Sequence, residues 1–219
     1  MSILKDGDIV LFQGDSITDG NRGRNSDPNH ILGHGYQFIL AAELTAKEPE
    51  KNVKFINRGI SGNRIADLYG RWKEDALNLN PTILSIMIGV NDVGFEWDHK
   101  SGSEPERFKK IYRLLLDEST QNNPDMQIII MEPFYEAPDS SERSKFFASN
   151  TKKIAKAARE IAEEYGAIFV PLQEMFDEYC KKSGVVKFIW DGVHPTYTGH
   201  GLIAEQWKKY ALPILEARK

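Results

Sequence analysis

Five short apolar runs, with helical patterns between them, constrain the fold of this chain more than any other feature. They occupy residues 9–12, 53–56, 83–88, 128–131 and 167–170. They are rich in Ile and Val, too short for helices, and apolar on both faces. Alternating polarity is needed only where one face of a strand meets water, so such runs suit a parallel sheet covered on both sides by helices. Between the runs, apolar residues recur at helical spacing. Ile65, Leu68, Trp72, Ala76 and Leu79 form one set, and Phe108, Ile111, Tyr112 and Leu115 a second. Ile154, Ala158, Ile161 and Tyr165 form a third, and Ile203, Trp207 and Tyr210 a fourth. Ser103-Glu104-Pro105-Glu106 reads as a capping box opening the second of these helices. Strand–helix alternation over the whole length predicts an α/β layered fold. With 219 residues and no linker, repeat or low-complexity stretch, the expectation is one domain over residues 1–219.

Two connections break the rhythm, residues 19–35 and 132–144, and both follow expected strands. Ligands of open α/β sheets sit beyond the carboxyl ends of the strands, so both loops are candidate pocket walls. The strand ends themselves carry a repeated pairing of glycine with small polar residues. Gly14-Asp15-Ser16 follows the first strand, residues 57–63 (NRGISGN) follow the second, and Gly89-Val90-Asn91-Asp92 follows the third. If these three strands are neighbours, Ser16, Gly62 and Asn91 converge. A hydroxyl, a backbone N–H and a side-chain amide are the parts of an acyl-transfer site: the hydroxyl attacks, and the donors hold the oxyanion. Asp191 and His194 lie three residues apart in a turn stiffened by Pro195. That spacing lets a carboxylate hold imidazole Nδ1 while Nε2 faces outward to take the hydroxyl proton, which is Ser-His-Asp logic.

Four blocks in this order resemble the SGNH, or GDSL-type, hydrolases: GDS at residues 14–16, G-x-S-G-N at 59–63, G-x-N-D at 89–92 and D-x-x-H-P at 191–195. The resemblance spans nearly the whole chain. It implies an α/β/α three-layer sandwich, flavodoxin-like, with a five-stranded parallel sheet. It implies Ser16 as nucleophile with Asp191 and His194 as partners. It also implies an oxyanion hole from the Ser16 N–H, the Gly62 N–H and the Asn91 side chain. The wording GDSITD, GISGN, IMIGVND and WDGVHP is most similar to bacterial acetylesterases that deacetylate xylan fragments.

The expected activity is therefore a serine esterase removing short acyl groups, acetyl above all, from acetylated sugars or xylo-oligosaccharides, with no metal or organic cofactor. The base must be neutral to work, so the rate is expected to rise through roughly pH 6 to 7. Two other readings stand beside it: a lysophospholipase or thioesterase built from the same parts, and a sugar-binding module with a dead site. Trp190 and Asp15 are the candidate substrate contacts. Trp190 reads equally as pocket wall or core, and Asp15 as a brace for its loop that does not titrate. Phe95 and Trp97 shape an acyl pocket or meet a second subunit. His30 and His34, four apart, would share a helix face as metal ligands, yet no carboxylate or cysteine completes the set. His200 reads as decoration at a helix start and Cys180 as a packed thiol. There is no G-x-S-x-G elbow and no phosphate-binding G-x-x-x-x-G-K. A net charge of −4 argues against a nucleic-acid partner, and no apolar segment is long enough to span a membrane. The charged start MSILKDGDIV and the single cysteine point to a cytoplasmic protein, with a homo-oligomer allowed.

Overall fold

The computed structural model describes residues 4–218. Its centre is a five-stranded, all-parallel sheet of β1 (Ile9–Gly14), β2 (Lys54–Asn57), β3 (Ile83–Met87), β4 (Gln127–Met131) and β5 (Ile168–Val170), in the order β2-β1-β3-β4-β5. Each expected apolar run became a strand. The order runs outward in both directions from β1 and β3, so the sheet has its topological switch point between those two strands, the place beyond whose carboxyl ends open α/β sheets bind ligands. Gly14 pairs with Met87 and Phe12 with Asn57, so the three strand ends that carry the polar blocks are neighbours.

Each face of the sheet is buried by helices. Val10, Phe12, Met87, Ile129 and Val170 pack against Leu40 of α2 (Tyr36–Lys47), Phe176 of α8 (Gln173–Ser183) and Ile203 and Trp207 of α9 (Tyr197–Glu216). Leu11, Leu84, Ile86 and Ile130 face the opposite layer. There they meet Leu68 of α3 (Ile65–Gly70), Trp72 of α4 (Trp72–Asp75), Phe108 and Leu115 of α6 (Pro105–Asn122), and Ile154 and Ile161 of α7 (Glu142–Glu164). Two short elements complete the polar end: α1 (Ser16–Asp19) directly after β1, and α5 (Val90–His99) after β3. Trp207 is fully buried and gives its indole N–H to the Ser85 hydroxyl at 3.1 Å, so a polar residue in the middle of β3 has a partner across the layer.

Three expectations are corrected. The helix read over residues 65–79 is broken into α3, α4 and a 3₁₀ turn at Leu77–Leu79. Gly70 weakens the helix. The helix ends at Gly70, and Arg71 bonds Asn63 Oδ1 at 2.8 Å, back across it, and Asp75 Oδ2 at 2.9 Å in the next turn. The capping box at Ser103 is absent: Glu104 is the N-cap with no side-chain cap, Pro105 occupies the first turn, and Ser103 is buried. His200 is not decoration. It is buried, and its Nδ1 accepts the Tyr36 N–H at 3.2 Å, capping α2, whose own N-cap Gly35 has no side chain to offer. Burial pushes the His200 imidazole down to about 4, with His34 and His194 adding to the effect, so it serves as a neutral acceptor.

Candidate active site

The chain turns sharply where β1 ends. A Cβ at Gly14 would collide with the Met87 carbonyl and the Thr18 hydroxyl, so only glycine lets β3 and α1 close around this point. Asp15 caps α1 by accepting the Ile17 N–H at 3.0 Å, and Ser16 is the first residue of that helix. Asp15 is not at the rim. It is 1% exposed, which removes it from contact with a substrate and fits the bracing role. Burial pushes its carboxyl up to about 6, opposed by the Ile17 N–H and by His194, so it titrates well above the ordinary range.

Ser16 meets the far end of the chain. Its Oγ lies 2.7 Å from His194 Nε2, and His194 Nδ1 lies 2.7 Å from Asp191 Oδ2. The same carboxylate also holds the turn: Asp191 Oδ1 accepts the backbone N–H of Val193 at 3.0 Å and of His194 at 2.7 Å. Burial raises the Asp191 carboxyl, but the His194 N–H, the His194 ring and the Val193 N–H together outweigh it and hold it below the ordinary carboxylate range. With Asp191 ionised, Nδ1 carries the proton and Nε2 is left to accept from the serine. The turn is braced from outside by the loop after β4, where the Glu136 N–H bonds Gly192 O at 3.0 Å. Trp190 is 63% exposed, so it is not core; its ring lies 6.2 Å from the His194 ring at 27°.

The two donor blocks are clamped to each other and to α1. A Cβ at Gly59 would strike the Asp19 and Thr18 backbone, so the segment after β2 lies directly on α1. The Ile60 N–H bonds Gly14 O at 3.1 Å. Gly62 has φ +82, a backbone a side chain would strain, and faces open space. Asn91 Nδ2 lies 3.2 Å from Asn63 O, and Asp92 Oδ2 accepts the Ile65 N–H at 3.0 Å. The block after β3 thus holds the chain just beyond Gly62 at two points. Burial pushes the Asp92 carboxyl up to about 7, with the Ile65 N–H and Ser103 opposing.

Two residues given no role above organise this region. Asn57, at the end of β2, spends its amide on the Thr18, Asp19 and Leu32 carbonyls at 2.7, 3.2 and 2.9 Å, and its Oδ1 accepts the Gly59 N–H at 2.9 Å. Asp19 Oδ2 accepts the Ser61 N–H at 3.0 Å, and its carboxylate pairs with Arg24 at 2.7 Å. The N-x-G spacing at residues 57–59 was the available signal for the first, as an Asx turn; the second depends on contacts far apart in sequence. The other candidates lie elsewhere. His30 sits in a turn against Asp27, not on a helix, and His34 lies against the His200 ring. Arg64 lies over the Phe95 ring, and Trp97 packs on Phe146 of α7. Cys180 is buried. Among the described residues no helix is long and apolar enough to cross a membrane.

A hydroxyl, an imidazole and a carboxylate in line, beside a segment of free backbone and a side-chain amide, can activate an oxygen nucleophile and stabilise an oxyanion. The chain is similar to known proteins over most of its length. Residues 12–202 match the GDSL-like lipase/acylhydrolase family. An acetylxylan esterase of Geobacillus stearothermophilus is 34% identical over 202 residues, covering 90% of this chain and 91% of its own. A solved structure of Axe2, an acetylxylan esterase from that organism, superposes with a TM-score of 0.84 at 33% identity, over 95% of each chain. A protein of Parabacteroides merdae ATCC 43184 described as a GDSL-like lipase reaches 0.89 at 36% identity, over 95% of this chain and 98% of its own. By sequence over most of its length and by fold throughout, the chain belongs to the GDSL-like lipase/acylhydrolase family and is a carboxylic ester hydrolase.

Proposed function

We propose that the protein removes short acyl groups, acetyl in particular, from acetylated saccharides of xylo-oligosaccharide size, through an acyl-enzyme at Ser16. The observation that carries this reading is the unbroken line from Ser16 Oγ through the His194 ring to Asp191, with both links at 2.7 Å. His194 Nε2 takes the Ser16 proton as Oγ attacks the ester carbonyl. The oxyanion faces the N–H groups of Ser16 and Gly62 and the Asn91 amide; loss of one such donor costs about 3 kcal/mol of transition-state stabilisation. The tetrahedral adduct collapses, and the alcohol leaves with the proton from Nε2. Water, deprotonated by the same nitrogen, then releases the acid and frees the serine. Asp191 orients the ring and stabilises the imidazolium in both halves.

The saccharide half of the reading draws on the relatives that act as acetylxylan esterases and on the exposed Trp190 ring beside His194, a flat apolar surface of the kind that sugar faces stack on. The test is acetate release from acetylated xylo-oligosaccharides by wild type and Ser16→Ala. Release by wild type, reduced on the order of 10⁴-fold or more in the variant with an unchanged unfolding temperature, is the expected result. Release that survives Ser16→Ala overturns the nucleophile. A wild type that prefers an octanoyl ester to an acetyl ester overturns the substrate class.

A further inference from the structure

The loop after α1, whose length marked it as a pocket wall, does enclose a cavity, but not one that Ser16 or His194 lines. Between this loop and β2 lies a space of about 420 Å³, walled by Arg22, Arg24, Asn25, Ser26 and Arg58 over an apolar floor that includes Phe55. That volume falls in the range of small-molecule sites, about 300–1,000 Å³. No acidic side chain lines it.

The charges around it do not balance. Arg24 is occupied by Asp19, at 2.7 and 3.1 Å. Arg22 gives its Nε to Gly59 O at 2.9 Å, and among the described residues its two terminal nitrogens have no hydrogen-bond partner. Arg58 Nε is buried without a hydrogen-bond partner, 3.6 Å from an Asp75 carboxylate whose other oxygen is held by Arg71 at 2.9 Å. Four guanidiniums therefore share two carboxylates, in a chain whose net charge is −4. Burial pushes Arg22 down to about 10, with Arg24 and Arg58 adding to the effect and Asp19 and Asp75 opposing it. Crowding like charges costs stability, and an anion in the cavity beside the free ends of Arg22 relieves it.

We propose that this cavity is an anion subsite that takes a carboxylate or phosphate carried on a small organic body, with Arg22 and Arg58 as its donors. The planar guanidinium fork matches either oxyanion. The apolar floor takes the body of the ligand, and Asn25 and Ser26 supply neutral hydrogen bonds. The subsite is wired to the ester site. Arg22 holds Gly59 O, and Asp19, paired to Arg24, holds the Ser61 N–H, so both ends of the pair flanking the cavity grip the segment that carries Gly62.

The test is isothermal titration of the full chain at low salt with inorganic phosphate, glucuronate and glucose, on wild type, Arg58→Gln and Asn25→Asp. Asn25 Oδ1 accepts the Asp27 N–H at 3.1 Å, so Asn25→Asp keeps that turn while adding a negative charge to the wall. Saturable binding of glucuronate or phosphate but not glucose, weakened at least ten-fold in both variants, supports the subsite. Hydrolysis of the neutral ester p-nitrophenyl acetate should stay unchanged in the same variants. Tighter glucuronate points to an acid on the substrate, and tighter phosphate to a free or phosphorylated ligand. Absence of saturation by either anion, or equal affinity in wild type and both variants, overturns it. The readout is binding, so it stands or falls apart from the acetyl-saccharide reading.

Discussion

Asp92→Asn offers a clean measurement of what it costs this fold to keep a carboxyl beneath the Gly62 segment. Burial lifts the Asp92 carboxyl from 3.8 to about 7 in the folded chain. A carboxyl raised on folding binds its proton more tightly in the native state, so stability is lost as pH rises through the window from 3.8 to about 7. Below that window both states hold the proton and the penalty vanishes. Linkage puts the penalty at about 1.7 kcal/mol at pH 5 and about 4 kcal/mol at pH 8. Asparagine has nothing to ionise, and its Oδ1 still accepts the Ile65 N–H. Its packing effect, whatever the sign, is the same at both pH values. The stability of Asp92→Asn minus that of wild type should therefore rise by about 2 to 3 kcal/mol between pH 5 and pH 8. Urea unfolding at the two pH values reads it directly, and the other carboxylates cancel in the difference. A difference that is flat with pH, or that falls, refutes the assignment of a buried carboxyl titrating near neutrality.

Three further perturbations follow from single contacts. Gly192 has φ +91, and a Cβ there would meet Glu136 O at 2.8 Å, so Gly192→Ala should displace the Asp191–His194 turn. Its kcat should fall at least ten-fold while circular dichroism stays native; full activity would show that the turn tolerates the shift. Asn57→Ala abandons three carbonyls and one N–H and should cost about 2 to 4 kcal/mol in urea unfolding, with activity lost alongside. A change under 1 kcal/mol would mean that water replaces the amide freely. Trp207→Phe opens space at a fully buried site and leaves the Ser85 hydroxyl only the Met131 sulfur as partner, for an expected loss of about 2 to 3 kcal/mol by the same assay.

The strands were legible because each buried run is its own evidence: a stretch such as residues 83–88 has nowhere to go but between two helical layers. The Asp191–His194 pair was legible for the same local reason, since three residues of a turn set the reach of one side chain to the other. The helix over residues 65–79 was misread because its apolar spacing is genuine; the break falls after Gly70, where Arg71 turns back to bond Asn63. His200 was misread because its partner, the Tyr36 N–H, lies 164 residues away. Asp15 sits within a recognisable block, yet its burial depends on β3 and α1 closing over it.

Sequence alone therefore determined the parallel sheet, the strand ends that bear glycine and small polar residues, and the four blocks that place the chain in its family. These depend on periodicity and on neighbours a few residues apart. Tertiary structure decided the order β2-β1-β3, and with it the 2.7 Å meeting of Ser16 with His194, 178 residues apart. It also decided the clamp of Asn91 and Asp92 on the Gly62 segment, and the gathering of Arg22, Arg24 and Arg58 around one cavity. Such distances are set by how elements stack, and stacking is fixed by the shape of the whole core rather than by any segment of it.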